Sequence, residues 1–201
     1  VAYEKFTRMI TELIKKAISS VVSLSDEEWQ ILMGFIEMKT LRKNNYFLKE
    51  GQICNSIAFV NKGSIVYCKL LETGKETTTD FAFTGDWVTD NRSRLNLTPS
   101  LINIKAIKDS ELLVISHKSL SECYNRIPRL ERLGRMLMEQ AFVKIAQQSI
   151  DLQTLSASER YEKMLSEYPE IFQKAPLYHI ANYLGIAPKS LSRIRKEFSG
   201  S

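Results

Sequence analysis

The sequence predicts an α+β fold in which a glycine-punctuated β-roll precedes one long helix and a terminal pair of short helices. Three observations carry this reading. After Met38, short runs rich in β-branched and aromatic residues alternate with turn-forming stretches as far as Ile115. From Arg129 to about Leu152, apolar residues recur at spacings of three and four without a break. The last stretch, Pro176 to Phe198, reads as two short helices hinged on Gly185.

In chain order, residues 3 to 20 are expected to be helical, with Phe6, Met9, Ile10, Leu13, Ile14 and Ala17 on one face. Residues 26 to 37 form a second helix. Ser25 and Glu28 stand three apart as a capping box, and Trp29, Leu32, Met33 and Ile36 form the buried stripe. Strands are expected at Tyr46–Lys49, Ile57–Val60, Ser64–Leu71, Thr77–Phe83, Leu101–Ile107 and Leu112–Ile115. Asn61-Lys62-Gly63 and Glu72-Thr73-Gly74-Lys75 read as hairpin loops, each with a glycine available for positive φ. The spacing makes an antiparallel roll or barrel of about 75 residues.

Helix resumes at Lys118–Arg126 and stops before Pro128. In the long helix that follows, Leu130, Leu133, Leu137, Ala141 and Ile145 make one stripe, and Met138, Phe142 and Ala146 widen it beyond what one roll needs. The excess suits a second copy of the chain, so Leu130, Leu133, Leu137, Met138, Ala141, Phe142 and Ile145 are the expected homodimer contacts. Ser156 and Glu159 then form another capping box ahead of a helix over residues 157 to 167, closed by Pro169.

Ile180, Ala181 and Leu184 share a face of the first terminal helix, and Leu191 and Ile194 share a face of the second. Gly185 supplies the left-handed residue that a sharp turn requires, and Pro188 suits the first turn of the next helix. This is a helix-turn-helix pattern, which offers its second helix to the major groove of duplex DNA. Lys189, Arg193, Arg195 and Lys196 outnumber the single acid Glu197 there, with Ser190 and Ser192 as short hydrogen-bonding groups. The expected DNA contacts are Lys189, Ser190, Ser192, Arg193 and Lys196, with Arg193 as the reader, since a groove-facing arginine can bond guanine O6 and N7 together.

Composition narrows the classes. A formal net charge of +5 over 201 residues is modest, so a polyanion partner is argued from where the charge lies. Three cysteines, Cys54, Cys68 and Cys123, are too scattered for a zinc site and odd in number for intrachain disulfides, which implies a reducing cytoplasm. They fit three buried apolar side chains better than a four-cysteine iron–sulfur cluster. No apolar run is long enough for a bilayer and no signal-peptide pattern opens the chain, so neither a membrane nor export is expected. The two histidines, His117 and His179, cannot assemble the metal site of a catalytic β-barrel, and no P-loop, GxSxG or HExxH motif is present. The expectation is a chain that is not an enzyme and holds no metal.

With these elements in order, and with the phrases ASERYEKMLSEYPEIF and HIANYLGIAPKSLSRIRKE, the chain resembles transcription regulators related to the cyclic AMP receptor protein and the fumarate–nitrate regulator, in a branch common in Bacteroidetes-type bacteria. The resemblance implies a cyclic-nucleotide-binding-like roll of jelly-roll type at residues 1–128, a connecting and dimerisation helix at 129–153 and a helix-turn-helix domain at 154–201. It further implies a homodimer on a palindromic operator, with RNA polymerase as a partner. It sets Pro188, Lys189 and Arg193 where the founding member contacts bases, and only Arg193 keeps the residue type.

Two departures accompany the match. Family members that bind a cyclic nucleotide carry a Gly-Glu pair and an Arg-Ser or Arg-Thr pair around the phosphate, whose charge an arginine must balance. Here the first pair is matched by Gly85-Asp86 and the second falls on Ser100-Leu101, so the phosphate arginine is missing. The pocket is therefore expected to be degenerate, to need no cofactor and to bind no cyclic AMP, unless Arg92 or Arg94 folds inward and rebuilds it. The second departure is that only Ser199, Gly200 and Ser201 follow Phe198, so no β-hairpin wing is expected. Two alternatives remain beside the regulator: one still gated by a small effector, and a ligand-sensing module whose helix-turn-helix merely packs.

Overall fold

The computed structural model describes residues 12–199. They begin with α1 (12–19) and α2 (Asp26–Met33), followed by β1 (Glu37–Leu41), β2 (Tyr46–Leu48), β3 (Ser56–Lys62), β4 (Ser64–Leu70), β5 (Glu76–Phe83) and β6 (Trp87–Val88). Next come α3 (Asn91–Asn96), β7 (Asn103–Ala106), β8 (Ser110–Ser116), α4 (His117–Arg126) and α5 (Leu130–Thr154). The chain closes with α6 (Ala157–Glu167), α7 (Ile171–Lys174), α8 (Leu177–Tyr183) and α9 (Pro188–Ser199). Residues 3 to 11 of the expected first helix lie outside the described residues.

The strands form two antiparallel four-stranded sheets, ordered β1-β8-β3-β6 and β2-β7-β4-β5. Side chains alternate across each strand, and here both faces of the inner strands are covered. In β3, Ala58 and Val60 point between the sheets while Phe59 faces the other way. In β5, Ala82 points between them while Phe81 and Phe83 face outward. Unbroken apolar runs such as Ala58-Phe59-Val60 and Phe81-Ala82-Phe83 follow from that double burial.

Three apolar layers result. The first joins α1, α2, α4 and the start of α5 to the outer face of the first sheet through Ile14, Ile18, Leu32, Phe59, Leu113 and Leu130. The second fills the roll. The third joins the outer face of β4 and β5 to α6 through α9, uniting Val66, Phe81 and Phe83 with Tyr161, Ile180, Leu191 and Ile194. The three cysteines are buried and unbridged, one in each layer. Burial pushes the Cys68 thiol up to about 12 and the Cys123 thiol up to about 11.

Both capping boxes form, Ser25 with Glu28 and Ser156 with Glu159, and the Glu72–Lys75 stretch is a true hairpin closed by Leu71 N–H to the Lys75 carbonyl at 2.9 Å. The Asn61–Gly63 loop is not a hairpin. β3 and β4 belong to different sheets, so Gly63, at φ 120°, turns the corner between them. A Cβ there would lie 2.1 Å from Ser110 Oγ. The helix expected to run to residue 37 ends at Met33, because the polar edge strand β1 starts at Glu37 and pairs with β8. The expected strand from Leu101 is shorter, because Ser100 Oγ donates to the Ile102 carbonyl and holds a turn ahead of β7.

Candidate nucleic-acid interface

The turn between α8 and α9 is a Schellman motif: Ile186 N–H donates to the Ala181 carbonyl and Gly185 N–H to the Asn182 carbonyl, each at 3.0 Å. Gly185 sits at φ 69°, the left-handed conformation this closure demands. Ala181 is fully buried where the helices cross, beside Ile180, Leu184, Leu191 and Ile194. Burying Leu191 and Ile194 fixes which side of α9 faces outward. At 100° per residue, Lys189, Ser192, Arg193 and Lys196 fall together on the opposite side, and all four are exposed. Ser190 is half-buried at the margin, and Ser192 Oγ donates back to the Pro188 carbonyl at 3.1 Å. Pro188 is exposed at the start of the same helix. Arg195 departs from the expected basic face, because its guanidinium lies 4.3 Å from the centre of the Phe172 ring on α7.

The rest of the pair is held against the roll. His179 is fully buried, with Nδ1 2.8 Å from Thr78 Oγ1 on β5. Burial drives its pKa down to about 4, with nearby Glu76 raising it and Lys105 lowering it further. Asn182 Nδ2 donates to the Glu76 carbonyl at 3.0 Å, and Arg160 donates to the Leu184 carbonyl at 2.9 Å, which satisfies the end of α8. From α5, Lys144 donates to both Asp80 oxygens at 2.8 and 2.9 Å, and Gln148 donates to the Tyr183 hydroxyl at 3.1 Å. Burial disfavours the Lys144 charge, but the charge and hydrogen bonds of Asp80 outweigh it and hold its pKa above the ordinary value. Sequence reasoning missed these clamps, whose partners stand 64 to 106 residues apart for Lys144 with Asp80, Thr78 with His179 and Asn182 with Glu76.

The polar side chains at the five cassette positions make local contacts. Gly85 adopts φ 99°, and Asp86 accepts from Phe83 N–H at 2.7 Å, closing the turn before β6. Burial raises the Asp86 pKa. Ser100 is buried, its hydroxyl spent on Ile102. Arg92 is exposed and donates to the Pro99 carbonyl at 3.2 Å. Arg94 is 7 % exposed, donates to Asn91 Oδ1 at 2.9 Å and keeps a buried Nε without a partner. A surface hollow of about 440 Å³ beside Phe47, Gln52 and Cys54 is lined by none of the five.

On α5, the expected contact set divides. Leu130 and Leu133 are 3 % and 7 % exposed and belong to the chain's own first layer, with Leu137 packed against it, so these three do not offer a free face. Their side of the helix is consumed by the roll. Met138, Phe142 and Ile145 are exposed, Phe142 at 72 % and Ile145 at 64 %, and Ala141 is half-buried between the two sides. Among the described residues, no group of three or more His, Cys, Asp or Glu gathers as a metal site, and no helix is long and apolar enough to cross a membrane.

Comparison with known proteins places this geometry. Residues 38–126 match the family described as the cyclic nucleotide-binding domain, which covers the strands and α4. The roll is thus similar to that family. The anaerobic regulatory protein of Pasteurella multocida (strain Pm70) is 23 % identical over 184 residues, 86 % of this chain and 67 % of that protein. FixK2 from Bradyrhizobium japonicum superposes with a TM-score of 0.72 at 17 % identity, covering 82 % of this chain and 85 % of its own. A putative transcriptional regulator of the Crp/Fnr family from Eubacterium rectale superposes at 0.65 with 19 % identity, covering 88 % and 84 %. The expected resemblance is thus borne out: a cyclic nucleotide-binding domain joined to a helical carboxyl-terminal unit, in a chain homologous to Crp/Fnr-type transcription regulators. These relatives are regulators and not enzymes, in keeping with the non-catalytic reading.

Proposed function

We propose that the chain is a sequence-specific DNA-binding regulator that works in the cytoplasm as a homodimer on a palindromic operator and acts through RNA polymerase. The observation that carries the reading is the outward face of α9, where Lys189, Ser192, Arg193 and Lys196 stand exposed opposite a buried seam. A helix shaped this way can enter a major groove, with the lysines on phosphates and Arg193 on a base edge. Exposed Met138, Phe142 and Ile145 on α5 supply an apolar surface for the second copy. Two recognition helices would then read grooves about 34 Å apart. The three-part division at residues 128 and 153 belongs to the same reading.

DNA binding in this scheme needs no cyclic nucleotide. Asp86 and Ser100 spend their side chains on local turns and Arg92 lies outside, which supports a degenerate pocket. One observation favours the alternative of a rebuilt pocket: Arg94 buries a guanidinium whose Nε has no partner. The test is selection of bound sequences from random duplexes with and without cyclic AMP and cyclic GMP, followed by calorimetry. The expected result is a palindromic site of unchanged strength and no micromolar isotherm. A saturable micromolar isotherm that Arg94→Ala abolishes would establish the rebuilt pocket instead, and absence of salt-dependent duplex binding would leave a packing module.

A further inference from the structure

Where β5, α5, α6 and α8 meet, the chain leaves a cavity of about 400 Å³, at the small end of the range usual for small-molecule sites. None of the five cassette residues lines it, and on α5 its wall is formed by Lys144, Gln148 and Asp151, the side of the helix turned away from Phe142. Neither the exposed face of α9 nor the exposed apolar face of α5 takes part in it, apart from Leu152.

Both lysines that line it are already paired. Lys144 is bound to Asp80, and Lys163 to Asp151. Three side-chain amides line the space, and each spends its nitrogen on the protein: Gln147 on Asp151, Gln148 on Tyr183 and Asn182 on the Glu76 carbonyl. Their carbonyl oxygens are left as acceptors. Arg160 donates to the Leu155 and Leu184 carbonyls and keeps a buried Nε–H without a partner. Leu152, Met164 and Leu184 supply apolar wall.

We propose that this cavity binds a small, uncharged, planar heterocycle whose edge carries N–H donors. An anion would find both lysines occupied by carboxylates, the Arg160 guanidinium held on two main-chain carbonyls, and the Glu167 carboxylate on the same wall. A hydrocarbon would leave the amide oxygens facing an apolar surface, which costs free energy for every group left unpaired. A flat ring system with polar edges satisfies both, its faces against Met164 and Leu184 and its N–H groups on the amide oxygens. The walls come from the roll, the long helix and the helix pair together, so an occupant strengthens the docking of α8 on β5. This site stands whether or not α9 binds DNA.

Adenine, benzoate and benzene serve as neutral-heterocycle, anionic and apolar probes of the full chain, with binding read from the methyl resonance of isotopically labelled Met164. The expected result is a saturable shift with adenine at millimolar concentration or below, and none with the other two. Thr79→Trp, a bulky change at an exposed strand position on the cavity wall, should abolish the shift, and Gln147→Ala should weaken it about tenfold, both with unaltered circular dichroism. No shift with adenine, an equal response to benzoate or benzene, or adenine binding indifferent to Thr79→Trp would each overturn the proposal.

Discussion

At the scale of single residues, two glycines show different reasons for lacking a side chain. Gly185 is open on all sides, so Gly185→Ala meets only the left-handed backbone penalty and should cost about 1–2 kcal/mol. Gly63 has positive φ and also presses on Ser110, so Gly63→Ala should cost more, a ranking that urea denaturation of the two variants would reverse if the corner can relax. On α9, Arg193→Ala should weaken specific binding by about 1–3 kcal/mol and relax preference at one base pair. Lys196→Ala should weaken all sequences alike and lower the salt slope by about one unit. Competition among single-base operator variants at several salt concentrations separates the two roles. Arg195→Ala, which removes the stack on Phe172, should lower the melting temperature and leave base preference unchanged.

At the scale of the element, α5 is two surfaces on one rod. The side bearing Leu130 and Leu133 closes the chain's own core, and the side bearing Phe142 and Ile145 faces outward. Leu133→Ala should therefore destabilise the fold by about 2–5 kcal/mol and leave the oligomeric state alone. Phe142→Glu with Ile145→Glu should do the reverse, giving folded monomers that bind palindromic DNA poorly. Sedimentation and thermal unfolding of both variants check the division, and a native monomer at micromolar concentration would falsify the dimer.

At the scale of the whole molecule, the helix pair is docked on the roll through a buried, neutral histidine. In the folded chain burial lowers the His179 pKa from 6.5 to about 4, so between those values the unfolded chain takes up a proton that the folded chain refuses. Stability is full above about pH 6.5 and falls as pH drops toward 4. The shift corresponds to something on the order of 3 kcal/mol. Glu76, Lys105 and Thr78 are the groups that face this histidine, so the loss should appear as loosening of α8 from β5. Comparing thermal unfolding of the parent chain and His179→Gln from pH 7 to 4 tests this. The variant should lose much less stability over that interval, and parallel curves would show that other groups govern acid sensitivity.

What the sequence determined by itself was what neighbours along the chain decide. The capping boxes at Ser25 and Ser156, the Gly74 hairpin, the left-handed Gly185 and the facing seams of α8 and α9 are settled within a few residues, so periodicity and turn chemistry disclose them. The resemblance to Crp/Fnr regulators rested on the same local phrases. Only the tertiary structure decided matters that depend on distant partners. An apolar stripe says that it will be buried but not against what, so Leu130 and Leu133 could not be told from Phe142 until the roll claimed one side of α5. The polar edge strand β1 has no alternation to betray it, since only Leu41 is buried, and Gly63 looks like a hairpin glycine until its flanking strands part into separate sheets. Arg195 carries the same charge as Arg193, and only the packing of Phe172 beside α9 turns it inward. The docking of α8 on β5 was hidden for the same physical reason: hydrogen bonds and ion pairs between segments far apart in the chain leave no periodicity in the sequence.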